Sequence, residues 1–164
     1  MSLPEQRADD FAVMRAEEEW QRAGAYYVRI HGMNRQHGIS LREEIDAHDG
    51  DGTRYIVLLD AGYPVATCRF YELDAGRVML GRVVVLPEYR GKELGRRAVC
   101  EAEAWIRSLG YRAVEIESRV TAVGFYQKLG FQITDSTVVK SGVFDCVRME
   151  KQLTDESAKA APAV

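Results

Sequence analysis

Two periodicities alternate along this chain. From Glu17 to about Gln36, Trp20, Ala23, Tyr27, Ile30 and Met33 recur at steps of three and four, which predicts an amphipathic helix interrupted near Gly32. Before it, "FAVMRA" (Phe11–Ala16) is short and apolar-rich and reads as a first strand. After it, "SLREEIDAHDGDG" offers a short helical turn and then an acidic loop. "RYIVLLD" and "PVATCRFYEL", joined by "AGY", form a hairpin pattern, and Asp74–Gly76 turns the chain into "RVMLGRVVVL". Beyond Pro87 the period becomes 3.6, with Leu94, Ala98, Cys100, Ala102, Trp105, Ile106 and Leu109 on or near one broad face and Gly110 as the stop. "AVEIES" (Ala113–Ser118) is a strand and "TAVGFYQKLG" a short helix ended by Gly130. "FQITDSTVV" and "VFDCVRMEKQL" make a last hairpin across Ser141 and Gly142.

The order β-α-β-β-β-α-β-α-β-β mixes hairpins with one strand-helix-strand crossover. It predicts an α/β (α+β) fold: a mixed, mostly antiparallel sheet flanked by helices, with a parallel element around the fourth strand, the long helix and the fifth strand. Ligands of such sheets bind beyond the C-terminal ends of parallel strands, where connections diverge. Residues 1–153 read as one domain. Residues 154–164, "TDESAKAAPAV", lack large apolar side chains and are expected to be a disordered tail.

Composition narrows the function. A net charge of −3 over 164 residues is the reverse of what a general nucleic-acid binder carries. No apolar run approaches the ~20 residues of a membrane span, and the N-terminus has no basic-then-apolar leader, so a cytoplasmic location is expected. Cys68, Cys100 and Cys146 are odd in number and far apart, and they read as small core side chains, not as a disulfide frame or a zinc site. His31, His37 and His48 are too scattered to suggest a metal centre, and each reads as a surface residue.

Against that acidic balance, "VVVLPEYRGKELGRRAV" (Val83–Val99) concentrates Arg90, Lys92, Arg96 and Arg97 around Gly91 and Gly95 at a strand-to-helix junction. A helix starting at about Leu94 presents unpaired N–H groups and the positive end of its dipole there. Glycines let an anion reach that backbone. The stretch therefore predicts a pyrophosphate cradle, although a solvated basic turn would use the same residue types. It is neither GxxxxGK[ST] nor GxGxxG.

The same stretch resembles the cofactor motif [QR]-x-x-G-x-[GA] of the GNAT superfamily of acetyl-CoA-dependent N-acetyltransferases. Arg90 and Gly95 occupy the outer positions, Gly91 supplies the extra glycine of many members, and Glu93 stands where the inner glycine is usual. "AVGFYQKLGF" (Ala122–Phe131) resembles the family's A-x-x-(F/L)-Y-x-K-x-G-F element, with Arg119 in place of the Asn common before that helix. The resemblance covers roughly Tyr55 to Leu153, and more loosely the first helix and its acidic loop.

The resemblance implies a splayed parallel strand pair that admits the pantetheine arm of acetyl-CoA, the co-substrate. Val83, Val84 and Val85 would line it, with the backbone of Val83 and Val85 bonding its amides. The segment Arg90, Gly91, Lys92, Glu93, Leu94, Gly95 and Arg96 would hold the pyrophosphate. Tyr126 matches the general acid that protonates the departing thiolate, a role a phenol within hydrogen-bond reach can fill. Phe125 reads as packing. The attacking amine must lose a proton, and Val78–Val85 holds no carboxylate, so Glu117 and Glu72 are the candidate bases.

Glu44, Asp46 and Asp49 could attract a cationic amine, or form a solvated loop. Cys146 lies where substrate pockets form in this family. The implied activity is acetyl transfer from acetyl-CoA to a primary amine of a small molecule or peptide, without nucleic acid, membrane or metal; family members are often homodimers. The competing reading is a degenerate acyl-CoA-binding or sensing module, suggested by Glu93 and the carboxylate-free strand.

Overall fold

The computed structural model describes residues 4–153, and the expected tail at 154–164 lies outside the described residues. Seven strands form one sheet: β1 (Ala12–Ala16), β2 (Arg54–Asp60), β3 (Tyr63–Asp74), β4 (Arg77–Val85), β5 (Ala113–Arg119), β6 (Gln132–Ser141) and β7 (Phe144–Gln152). Their order is β1-β2-β3-β4-β5-β7-β6. Every neighbouring pair is antiparallel except β4 with β5. The mixed, mostly antiparallel architecture anticipated from the sequence is therefore present, with its single parallel pair at the crossover.

Helices α1 (Glu19–Arg29), α2 (Arg35–His37) and α3 (Leu41–Glu44) precede β2. Helix α4 (Leu94–Ser108) links β4 to β5, and α5 (Val123–Lys128) links β5 to β6. The interruption expected near Gly32 is a π-helical turn over Ile30–Asn34 that joins α1 to α2. A Cβ at Gly32 would lie 2.6 Å from Val84 Cγ1, so this glycine is what lets the π turn press against β4.

Alternate residues of β2 enter two packings, as the two-residue period of a strand requires. Tyr55 and Val57 cluster with Ala25 of α1, while Ile56 and Leu58 join the larger cluster with Ala98, Ala102 and Ile106 of α4. Burial on both faces explains why β2 and β3 read as nearly continuous apolar runs. Helix α4 buries Leu94, Ala98, Val99, Ala102, Trp105 and Ile106.

Several positions of the sequence reading are corrected here. On α1 the buried face is Ala25, Val28 and Arg29, whereas Trp20, Ala23 and Tyr27 of the expected apolar stripe are exposed. Cys100 is exposed, because two residues from either Ala98 or Ala102 is about 200° round the helix. Leu109 is also exposed, at the C-cap of α4, where its amide still donates to Trp105 O at 3.1 Å. Cys68 is core as expected: its thiol donates to the Ala98 carbonyl at 3.4 Å, and burial pushes its pKa up.

The acidic segment after α3 is not a solvated loop. Arg29 lies 2.8 Å from Glu44 Oε1 and 2.7 Å from Asp49 Oδ1, and Arg69 reaches Asp46 at 3.1 Å and Asp49 at 2.7 Å. Tyr55 Oη donates to Asp49 Oδ1 at 2.7 Å. These carboxylates are consumed inside the fold, where buried arginines demand paired charge.

Candidate functional site

Strands β4 and β5 run together only where Arg77–Met79 faces Ala113–Glu115. Beyond Met79, β4 keeps its pairing with β3 but has no strand partner on its other edge among the described residues. The divergence opens a cleft of about 1060 Å³. Val83, Val84 and Val85 line one wall, Glu117 and Arg119 the other; Phe125 and Tyr126 enter from α5, and Gly91, Glu93, Leu94, Gly95 and Arg96 close the far end. The splay and the junction of β4 with α4 thus belong to one cavity, at the C-terminal ends of the parallel strands.

A bulge shapes the β4 wall. Thr67 pairs with Val84 and Arg69 with Gly81, so Arg82 and Val83 together face Cys68. Arg82 takes a φ of 49°, uncommon for a residue with a side chain. Its guanidinium is held by Glu44 Oε1 at 3.1 Å and Asp46 Oδ2 at 3.3 Å. The acidic segment after α3 therefore braces the cleft wall from behind.

At the far end, the amides of Leu94, Gly95 and Arg96 precede the first intrahelical bond of α4, which Arg97 N makes to Glu93 O at 3.1 Å. Those three N–H groups and the helix dipole make an anion site. Gly91 has φ 80° and nothing within 4 Å of the place a Cβ would take, which leaves its backbone open to approach. Glu93 has φ 61°, and its side chain is 70% exposed and 3.8 Å from Arg96, so the carboxylate that departs from the family pattern is turned outward. The residues present fit a diphosphate.

The four basic residues of this turn separate into different tasks. Arg90 straps the π turn to the end of β4, donating to Val85 O at 3.2 Å, Gly32 O at 3.0 Å and Gln36 Oε1 at 3.2 Å. Arg97 does not serve the cradle: it donates to the carbonyls of Ala8 and Phe11 and so pins the N-terminal segment. Lys92 lies outside the main cleft, beside a smaller hollow that also touches Gln6, Asp9 and Cys100. Arg96 is exposed at the cradle mouth, and its ion-pair partner among the described residues is Glu93 at 3.8 Å.

Tyr126 is buried, edge-on to Phe125 at 4.9 Å and to Phe131 at 5.7 Å. Burial raises its pKa above the ordinary phenol range, so the hydroxyl keeps its proton. Among the described residues that hydroxyl has no hydrogen-bond partner, and it lines the cleft. Glu117 is on the cleft wall. Glu72 is not: near the end of β3 it accepts from Tyr111 Oη, away from the cleft. Cys146 lines the cleft from β7, its thiol pushed up by burial.

Several lining residues carried no site role in the sequence, where Met33 belongs to a helical stripe and His37 reads as a surface histidine. Met33, Gln36 and His37 reach the cleft from the π turn and α2, and Phe144 reaches it from β7; His37 meets Phe144 edge-on at 4.9 Å. The interruption at Gly32 was their only signal. His31 packs on Tyr27 and His48 stacks on Tyr71 at 4.1 Å. Among the described residues no three His, Cys, Asp or Glu side chains converge as metal ligands, and no helix is long and apolar enough to cross a membrane.

The sequence profile of the Acetyltransferase (GNAT) family matches residues 11–131. An uncharacterised acetyltransferase of Streptococcus pyogenes is 31% identical over 104 residues, which is 63% of this chain and 71% of that one. A crystal structure of a provisionally named N-acetyltransferase from Lactobacillus plantarum superposes with a TM-score of 0.81 at 30% identity, covering 88% of this chain and 99% of that one. Escherichia coli ElaA shares the fold, with a TM-score of 0.72 at 20% identity over 86% of this chain and 99% of its own.

Proposed function

The chain belongs to the GNAT family of acetyltransferases, and on that premise we propose that it moves an acetyl group from acetyl-CoA directly to a primary amine. The observation that carries the reading is a single cleft that holds both a glycine-flanked helix N-terminus with free amides and a protonated phenol that has no hydrogen-bond partner among the described residues. Bound in that cleft, acetyl-CoA would supply the activated thioester.

The protein's own residues divide the remaining work. The amides of Leu94, Gly95 and Arg96 hold the diphosphate, and the unpaired edge of β4 at Val83 to Val85 receives the pantetheine arm. Tyr126 keeps a proton on its phenolic oxygen and gives it to the departing sulfur. Glu117, the carboxylate on the opposite wall, takes a proton from the ammonium of the acceptor so that the amine can attack. Burial of Tyr126 keeps the donor charged with its proton across the physiological range. Glu93, exposed and beside Arg96, speaks against one of the two sequence features behind the sensor reading; the carboxylate-free strand remains the other, and the transfer assay decides between the readings.

The test is a transfer assay. Purified protein, acetyl-CoA and a broad amine panel should release free CoA thiol together with an acceptor heavier by one acetyl group. Saturable acetyl-CoA binding without product from any amine would defeat the enzymatic reading.

A further inference from the structure

The charged side chains of the cleft separate into those already satisfied and those left over. Arg82 is held by Glu44 and Asp46, Arg96 lies near Glu93, and Arg90 is spent on two carbonyls and Gln36. Lys128 is exposed at the last turn of α5. Among the described residues, the side chains of Glu117 and Arg119 make no ion pair and no hydrogen bond, although both line the cleft.

These two residues stand two positions apart on β5, so they share one face of the strand, about 6–7 Å apart along it. They do not pair with each other. Instead the Arg119 guanidinium lies 3.6 Å over the Phe144 ring, which orients its planar fork. A half-buried guanidinium with no anion beside it is costly. Burial lowers its basicity, Arg90 adds to that effect, and the Glu44 charge, which makes no ion pair with it, offsets the loss only in part. Arg119 lines the same cleft as Tyr126 and Cys146, near enough for electrostatic interaction with both.

We propose that the acceptor is a free amino acid, whose carboxylate is gripped by Arg119 while its amine is held at Glu117. The proposal rests on the transfer reading above and specifies its substrate. The dimensions agree. The nitrogen and carboxylate carbon of an α-amino acid are about 2.5 Å apart. A charge-assisted bond of about 2.8 Å at each end makes the whole span about 8 Å, which two long side chains rising from backbone positions about 6–7 Å apart reach by splaying slightly. A guanidinium also takes a carboxylate through two parallel bonds, a geometry that a neutral amide cannot fully reproduce. A polyamine would set a second cation beside Arg119, and an internal peptide residue has no carboxylate to offer.

The test titrates CoA-loaded protein by calorimetry with a panel of free amino acids, each against its own carboxamide. At least one free acid should bind about ten-fold or more tightly than its carboxamide. Arg119→Gln should bring that pair within about two-fold, and Arg119→Lys should restore part of the difference. The ratio of kcat/KM for the same pair should move in parallel. Should Arg119→Gln melt early, the wild-type pairs decide alone. Equal binding of acids and carboxamides, no binding of any free amino acid, or a loss in Arg119→Gln confined to acetyl-CoA affinity overturns the proposal and leaves acetyl transfer intact. Absence of acetyl-CoA binding, titrated separately, overturns the transfer reading itself.

Discussion

Arg29 Nη1 lies 2.7 Å from Asp49 Oδ1, and neither side chain is more than 1% exposed. The pair joins α1 to the segment that braces β4, and Arg69 shares the same carboxylate. Burial alone would raise Asp49, but the hydrogen bonds from Arg29, Arg69 and Tyr55 hold it well below the usual carboxylate range. Asp49→Asn leaves two buried guanidiniums short of a charge, and it should cost about 3–5 kcal/mol in urea unfolding at pH 7. A group whose folded pKa is depressed stabilises above its unfolded value and loses that contribution as pH falls towards the folded one. The gap between wild type and Asp49→Asn should therefore narrow as pH drops below the ordinary aspartate value of 3.8. A gap that stays constant from pH 7 to pH 3 would contradict this assignment.

Tyr126→Phe removes only the phenolic oxygen from a side chain packed on two other rings. Its turnover should fall by about 100-fold or more, while the calorimetric Kd for acetyl-CoA stays within about two-fold. Equal losses in both would reassign the residue to cofactor binding.

Glu93→Gly should improve two properties at once. Glycine adopts a φ of 61° without the penalty a side chain meets, so stability should rise by up to about 1 kcal/mol. Removing a carboxylate from the mouth of the anion site should tighten acetyl-CoA binding a few-fold, most visibly at low salt. Weaker binding in this variant would mean that Glu93 takes part in holding the cofactor.

Gly32→Ala places a carbon 2.6 Å from Val84 Cγ1 and 3.3 Å from the Val85 carbonyl. Both belong to the cleft wall, and the wall is too closely packed to yield without strain. Denaturant titration should show a loss of about 1–3 kcal/mol, with acetyl-CoA affinity falling as well. An unchanged midpoint would show that the π turn can slide along β4.

Much of this site could be read before the fold was seen. The cradle announces itself locally, because glycine spacing and a helix start are properties of neighbouring residues. Tyr126 was expected near the site only through the resemblance of Ala122–Phe131 to a family motif, and it does line the cleft. Charge partners were not legible. Glu44 and Asp49 look like solvent-facing residues until Arg29, 15 and 20 residues away, and Arg69 are folded onto them. Arg97 looks like part of a basic turn until its guanidinium is found on the carbonyls of Ala8 and Phe11. Glu72 and Glu117 were indistinguishable as strand carboxylates, since only the splay decides which one meets the cleft. Cys100 was misplaced by a stripe drawn too wide, which the helical angle from Ala98 corrects.

The brief contact of Arg77–Met79 with Ala113–Glu115 divides the sheet mechanically into two plates, β1 to β4 on one side and β5, β7 and β6 on the other, hinged at one end. Whatever lies along the open edge spans both plates and resists their relative rotation. Occupancy of the gap should therefore slow amide hydrogen exchange far from it, in β2 as well as in β7, so that filling the site stiffens the whole scaffold.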